Sequence, residues 1–282
     1  MGKTYIFGHK NPDTDTITSS LVMANFERKM GNEDAVACRL GNINKETEYV
    51  LNYLGIEAPE LIETVEDGAN VILVDHNSPK ESIENLENVK ILKVVDHHKI
   101  ALETAYPLFY RAEPVGCTST VLYKMYKEND VEITKEIATM MLSAIISDTL
   151  LFKSPTCTKK DIEVANELAK IANVDIDTYG IELLKAGTDL SSYSAADLIS
   201  LDSKELTVNS TKFQIAQVNT VSIEDESGNT SAYKYYTYNN YVENGVFKPR
   251  VGQSTKNTDY YYDYLNVLAT NKQAVIVSEN LM

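Results

Sequence analysis

VKILKVVDHH, Val89 to His98, is an apolar run that ends abruptly in one aspartate and two histidines. Its Val and Ile content, its length and its lack of Pro read as a buried strand. Three other runs share that character: TYIFG (Thr4 to Gly8), AVACRL (Ala35 to Leu40) and NVILVD (Asn70 to Asp75). Between them, Thr16 to Lys29, Lys45 to Leu54 and Ser78 to Leu86 carry helical patterning. Cys117 to Tyr126, Lys135 to Leu151 and Lys159 to Ile171 continue it. Strands alternating with helices imply βαβ units, and so an α/β fold with a parallel sheet and helices on both faces. AGTDLSSYSA, Ala186 to Ala195, is a polar, Ser-rich break. Beyond it, KFQIAQVNTV (Lys212 to Val221) and AVIVSE (Ala274 to Glu279) read as strands of a smaller α/β unit. The expected organisation is a first domain over 1–186, a hinge over 187–200 and a second domain over 201–282.

The chain has 282 residues, 43% of them apolar, enough for a sizeable core. No run approaches the roughly 20 apolar residues of a membrane helix, and the first twenty residues carry no signal-peptide pattern. Three cysteines, Cys38, Cys117 and Cys157, give neither a disulfide framework nor a CxxC metal spacing. A cytoplasmic protein without a membrane partner is expected. The net charge of −15 argues against a nucleic-acid partner, since that affinity comes from clustered Lys and Arg. An acidic chain can still handle a small anion, given a local source of positive charge such as metal ions.

In parallel α/β sheets, ligands bind beyond the carboxyl ends of the strands. GHKNPDTD (Gly8 to Asp15) follows the first strand, Asp75 closes the third, and Asp96, His97 and His98 close the fourth. All four histidines, His9, His76, His97 and His98, fall in these stretches. Pro12 disfavours helix at Asn11, and if the following residues are extended, Asp13 and Asp15 point to one side. Asp148 interrupts the apolar helical run LSAIISDTLLF. A carboxylate buried there needs a proton, an ion partner or a metal. Mixed imidazole and carboxylate donors suit Mn, Co, Fe or Zn. Two histidines with at least four carboxylates exceed the needs of one ion and suggest a two-metal site, its ions about 3.5–4 Å apart.

GHKNPDTD, VDHN, VVDHH and PVGCTST resemble the characteristic stretches of the DHH phosphoesterase superfamily, most closely its manganese-dependent (family II) inorganic pyrophosphatases. The similarity continues through LSAIISDTLLFKSPTCT, LLKAGTDL, LISLDSKEL and IAQVNTV, covering roughly Gly2 to Val221. It implies that His9, Asp13 and Asp75 ligate one Mn²⁺ (or Co²⁺). Asp15, Asp75, His97 and Asp148 would ligate the other, with Asp75 bridging. It also implies a bridging hydroxide as nucleophile, an additional Mg²⁺ arriving with pyrophosphate, and His98 and Lys204 as catalytic, substrate-binding residues. A parallel-sheet DHH domain joined by a hinge to a smaller carboxyl-terminal domain, and a homodimer, complete the expectation.

After VNTVSIED the chain departs from the family's usual continuation, and its basic SRKKQ-type stretch is absent. Lys248, Arg250 and Lys256 are the clustered cations of this tail, and nine tyrosines lie between Tyr233 and Tyr264, where YKYYTYNNY followed by ENG suggests a strand and turn. Two alternatives to pyrophosphate hydrolysis therefore stand. One is a superfamily enzyme acting on oligonucleotides or polyphosphate, the other a metal-binding homologue with reduced or lost catalysis.

Overall fold

β1 (Thr4–Phe7) and β4 (Asn70–Val74) lie side by side at the middle of a six-stranded parallel sheet. β2 (Ala35–Arg39) and β3 (Glu60–Leu61) extend it beyond β1, and β5 (Lys90–Asp96) and β6 (Phe109–Ala112) beyond β4. The order is thus β3-β2-β1-β4-β5-β6, and the direction of chain progression reverses between β1 and β4. In the computed structural model, residues 2–188 are described with their side chains, and beyond them the backbone of five strands, 204–208, 211–216, 241–243, 246–248 and 274–275.

The four expected strands are present within one residue at each end, because Val and Ile runs of this length fit a strand buried on both faces. Alternation along them feeds two cores. Phe7, Val71, Leu73, Ile91 and Val94 share one cluster with Cys38, Ile83, Leu86 and Val89. Ile6 and Ile72, also fully buried, alternate with them. The helices are α1 (Thr14–Lys29), α2 (Lys45–Leu54), α3 (Thr118–Glu128), α4 (Lys135–Asp148), α5 (Lys159–Ala172) and α6 (Ile176–Gly187). α1 packs on α3, α4 and strands β1, β2 and β4.

The structure corrects several expectations. Ser78 to Leu86 is not a helix: it holds one 3₁₀ turn, Pro79–Glu81, and a second follows at Leu86–Asn88. Ser82 is extended there and ends the first turn. No α-helical residue belongs to the Phe7–Leu73 cluster, so irregular segments rather than helices cover it. The two edge strands β3 and β6 and the helix α6 were not read from the sequence. Because α6 runs through Gly187, the polar stretch Ala186 to Ala195 begins inside a helix; its residues from 189 onward lie outside the described ones.

α4 ends at Asp148 rather than at Leu151, because Leu150, Leu151 and Phe152 all take left-handed backbone angles, φ 48°, 52° and 68°. Such angles are costly for residues with a Cβ and persist only where surroundings enforce them. Here Leu151 N donates to Ile146 O at 2.9 Å and Ser154 N to Thr149 O at 2.8 Å, closing the turn on the helix end. Gly180 in α6 makes room for it, since a Cβ there would stand 2.6 Å from Leu151 Cδ1.

Residues 188–282 form a second compact unit. β7 (Lys204–Val208) and β8 (Thr211–Ala216) pair antiparallel, and β11 (Ala274–Val275) joins β8 in parallel. β9 (Tyr241–Glu243) and β10 (Val246–Lys248) pair antiparallel around the Asn-Gly dipeptide. Both expected strands are thus present in shorter form, and most of the Tyr-rich segment lies outside the described residues.

α1 is tied to α3 by Tyr126, whose fully buried hydroxyl donates to Val22 O at 2.8 Å and lies 2.9 Å from Asn25 Oδ1. Its ring centroid lies 5.3 Å from that of Phe26. Tyr126→Phe removes only the hydroxyl and takes that donor away from Val22 O and Asn25 Oδ1. It is expected to lower the unfolding free energy by about 1–2 kcal/mol in urea titrations. An unchanged midpoint would show that the bond contributes nothing net.

Candidate metal centre

Asp75 stands immediately after β4, at the point where strand order reverses, with a left-handed φ of 57° and only 1% of its surface exposed. Its amide donates to Val95 O at 2.9 Å, which holds this strained residue on the end of β5. The two carboxylate oxygens face different neighbours. Oδ2 accepts from Thr16 Oγ1 at 2.6 Å and lies 3.5 Å from His9 Nε2. Oδ1 accepts from Thr118 Oγ1 at 3.0 Å and lies 3.4 Å from His97 Nε2.

Around each oxygen a separate donor group assembles. His9, Asp13 and Asp75 bring ligand atoms within 4.8 Å of one another, and so do Asp15, His97 and Asp148. A third such group joins Asp75, His97 and His98. Asp13 and Asp15 are divided between the first two groups, which corrects the expectation that they point to one side. They lie not on an extended segment but on the start of a helix. Asp13 caps α1, accepting from Thr16 N at 2.9 Å, and Asp15 is in its first turn. Asp13 keeps the extended backbone of an N-cap, φ −93° and ψ −169°, while Asp15 is already helical, so strand alternation does not align their side chains.

Each imidazole offers the same nitrogen. His9 Nδ1 donates to Lys10 O at 2.7 Å and His97 Nδ1 to Val115 O at 3.0 Å. A carbonyl only accepts, so the proton sits on Nδ1 and Nε2 is directed into the carboxylates, an arrangement usual for metal-binding histidines. His76 is the contrasting case. Its Nδ1 donates to Val74 O, it packs 6.2 Å from the Phe7 ring, and its Nε2 has no hydrogen-bond partner. It belongs to none of the three groups.

Hydroxyls, not cations, surround the buried acids. Asp15 accepts from Ser19 Oγ at 2.7 Å, Ser119 Oγ at 3.1 Å and Thr118 N at 2.7 Å. Among the described residues no Lys or Arg pairs with Asp13, Asp15, Asp75 or Asp148; their ion partners are His9, His97 and His98. The electrostatic consequences are large. Burial and the Asp15 charge push Asp75 up to about 7 against the pull of His97. Burial and then the charges of Asp15, Asp13 and Asp75 push Asp148 well above the carboxylate range. Burial works to lower His9, but Asp13 and Asp75 outweigh it and raise the ring to about 9; Asp75 and Asp15 do the same for His97, also to about 9. The site thus gathers protons to offset its carboxylates, the charge that a divalent ion would supply instead.

His98 differs in its surroundings. Its Nδ1 lies 2.9 Å from Asp96 Oδ1, its side chain is 51% exposed, and the hydrogen bond to Asp96 raises its pKa. Asp96 also accepts from the amides of His97 and His98 and from Asn77 Nδ2. Burial opposes ionisation of Asp96, yet the hydrogen bonds from His98 and Asn77 win and lower it to about 2. Lys204 lies in β7, where only the backbone is described.

Residues 3–145 match the DHH family, N-terminal domain, and residues 181–244 match the DHHA2 domain. The chain belongs to the DHH family. It is 59% identical over 227 residues to the manganese-dependent inorganic pyrophosphatase of Bacillus subtilis, spanning 80% of this chain and 73% of that protein. A protein of an Exiguobacterium species, named "Probable manganese-dependent inorganic pyrophosphatase", is 50% identical over 280 residues, or 98% of this chain and 86% of its own. A crystal structure of a Methanococcus jannaschii protein, provisionally assigned to the family II inorganic pyrophosphatases, superposes with a TM-score of 0.66 at 41% identity. It covers 78% of this chain and 73% of that one. The DHHA2 match and the Exiguobacterium similarity both continue past Asp225, so the tail of this DHH chain is less foreign to its relatives than its missing basic stretch suggests.

Sequence reading missed residues that hold the ligand-type side chains in this DHH site, Thr16, Ser19, Thr118, Ser119 and Asn77, and noted Asp96 at its strand end without giving it a role. The available signal was the hydroxyl-rich start of α1, TDTITSS, every residue of which is buried. That pattern is opposite to an ordinary helix face turned to an apolar core.

The donor set fits a divalent transition ion, and metal removal tests the fit. Mn²⁺ at about 100 times its Kd is expected to raise the unfolding free energy by about 2.7 kcal/mol over protein in EDTA. Because the ion must displace protons from the imidazoles and carboxylates, the gain should shrink from pH 8 to pH 6. Asp148→Asn should leave the EDTA-treated protein at least as stable while losing most of the gain. Thermal denaturation with and without MnCl₂ reads both, and a wild-type chain insensitive to Mn²⁺ would refute the fit.

Proposed function

We propose that this chain hydrolyses inorganic pyrophosphate to two phosphates at a site for two divalent ions that share Asp75. The observation that carries this reading is the division of labour at Asp75, one oxygen beside His9 and the other beside His97. His9, Asp13 and Asp75 would hold one Mn²⁺, and Asp15, Asp75, His97 and Asp148 the other. Co²⁺ suits the same donors, and a Mg²⁺ would accompany the substrate. Bound there, such ions supply positive charge to phosphate oxygens and make a water acidic enough to lose a proton near neutral pH.

The chain's own residues prepare that chemistry. Lys10 O and Val115 O accept from Nδ1 of His9 and His97, so that each ring, once neutral, would present an unprotonated Nε2. Thr16, Thr118, Ser19 and Ser119 occupy carboxylate lone pairs without cancelling the negative charge. Asp96 orients His98 through Nδ1 and leaves its Nε2 for a hydrogen bond to a substrate phosphate oxygen. Lys204, within the region matching DHHA2, is assigned a substrate contact from a domain over 201–282, with 187–200 as the hinge.

The same reading includes a homodimer and a cytoplasmic location. β6 is an edge of the sheet, with no strand on its outer side among the described residues, a usual place for another chain to add. Cys38 and Cys117 are buried free thiols, as suits a reducing compartment. No helix among the described residues is long and apolar enough to cross a membrane. Sedimentation at twice the 31.5 kDa chain mass is expected, and a monomer at micromolar concentration would count against the dimer.

With Mn²⁺, phosphate should be released rapidly from pyrophosphate and only slowly from tripolyphosphate or a dinucleotide. Asp75→Asn should lower that rate by on the order of 10³-fold or more, as expected when the charges on a transferring phosphoryl group are lost. Activity that survives this substitution would overturn the site assignment. Faster release from the dinucleotide would overturn the substrate.

A further inference from the structure

Outside the three donor groups lies another buried carboxylate. Asp161 is at the third position of α5, fully buried, and among the described residues no cation pairs with it. Part of its bonding is ordinary capping. Thr158 is the N-cap, and Asp161 Oδ2 accepts from Thr158 N at 2.7 Å and Thr158 Oγ1 at 2.6 Å. Capping alone does not explain the burial, since the acid of a capping box needs only the N-cap amide. The remaining bonds cross to a distant segment. Oδ2 also accepts from Gly116 N at 2.9 Å, and Oδ1 from Thr120 Oγ1 at 2.6 Å.

Those two partners bracket the stretch that reaches the metal centre. Val115 O, one residue before Gly116, accepts from His97 Nδ1. Thr118 donates its amide to Asp15 and its hydroxyl to Asp75, and Ser119 donates its hydroxyl to Asp15. Gly116 is what permits the approach. A Cβ there would lie 2.9 Å from Asp161 Oδ2 and 2.9 Å from Thr149 Cγ2, and Thr149 adjoins Asp148. Asp161 touches none of the candidate ligands, yet it grips both ends of the segment that holds three of them.

We propose that Asp161 is a positioning residue of the metal centre, its buried carboxylate clamping Gly116 and Thr120 so that residues 115–119 hold His97, Asp15 and Asp75 in register. The proposal rests on the metal reading above. The clamp itself is the pair of donors from the distant segment, Gly116 N and Thr120 Oγ1, and releasing either would leave charge poorly solvated in the interior. Losing an outer partner of this kind typically costs 10–100-fold in metal affinity.

Three variants separate positioning from capping, with Mn²⁺ binding to metal-stripped protein read by calorimetry and by the electron paramagnetic resonance spectrum of the bound ion. Asp161→Ala should weaken binding about 10–100-fold and alter the spectrum. Asp161→Asn should restore most of both, since its oxygen can accept on the Gly116 side and its NH₂ can donate to Thr120 Oγ1. Thr158→Ala should lower the melting temperature through loss of the cap while leaving Mn²⁺ affinity and spectrum near wild type. If Asp161→Ala does not fold, Gly116→Ala probes the same contact from the other side and should lose tenfold or more. Asp161→Ala or Gly116→Ala with wild-type affinity and spectrum would overturn the proposal. So would Thr158→Ala with a loss as large as that of Asp161→Ala. If the wild-type chain itself bound no Mn²⁺, the metal reading would fail first and take the proposal with it.

Discussion

The structure of the first unit is organised around a charge problem: Asp15, Asp75 and Asp148 converge in a place where water cannot solvate them. Unpaired carboxylates in such surroundings are costly, and each added one raises the cost of the others. Hydroxyl donors from α1 and α3 satisfy lone pairs but bring no net charge. Among the described residues the positive charge beside them comes from imidazoles, His9 and His97 at the ends of β1 and β5 foremost, which take up protons. A protein that used Lys or Arg here would gain stability and lose the vacancy in charge that a divalent ion fills.

Helix ends sharpen the same point. Asp13 at the N-cap and Asp15 in the first turn of α1 lie where the helix dipole favours negative charge. Asp148 is the last residue of α4, where the dipole opposes it, and its side chain is only 14% exposed. The left-handed turn at Leu150 to Phe152 then prevents α4 from continuing and fixes that carboxylate at the helix terminus. A carboxylate held at the wrong end of a helix, beside two others and largely away from solvent, costs stability, and the proposed metal site would offset that cost.

Much of this was legible in sequence because the central strands are short, largely apolar runs without Pro, and because β1, β4 and β5 are followed or ended by residues that do not belong in a core. The sheet's edges were not legible. β3 is two residues long and β6, FYRA, has neither alternation nor a β-branched run, so neither carries a period to detect. Ser78 to Leu86 has helix-compatible composition, yet Ile83 and Leu86 are drawn into the Phe7–Leu73 cluster and the backbone follows them. Asp13 and Asp15 were legible as ligand candidates but not as a divided pair, because their directions depend on where α1 begins.

Asp161 shows the limit most clearly. In sequence it is an ordinary capping acid, the last residue of TKKD, and nothing local marks it as buried. Its meaning comes from Gly116 and Thr120, about forty residues earlier, and from a glycine whose missing Cβ lets a carboxylate reach a backbone amide. Local pattern reports which residues can bind a metal, since those chemistries are few. The residues that hold them in place need only one oxygen or one hydroxyl, which any Thr, Ser or Asp provides, so they become identifiable only when the fold brings distant segments together.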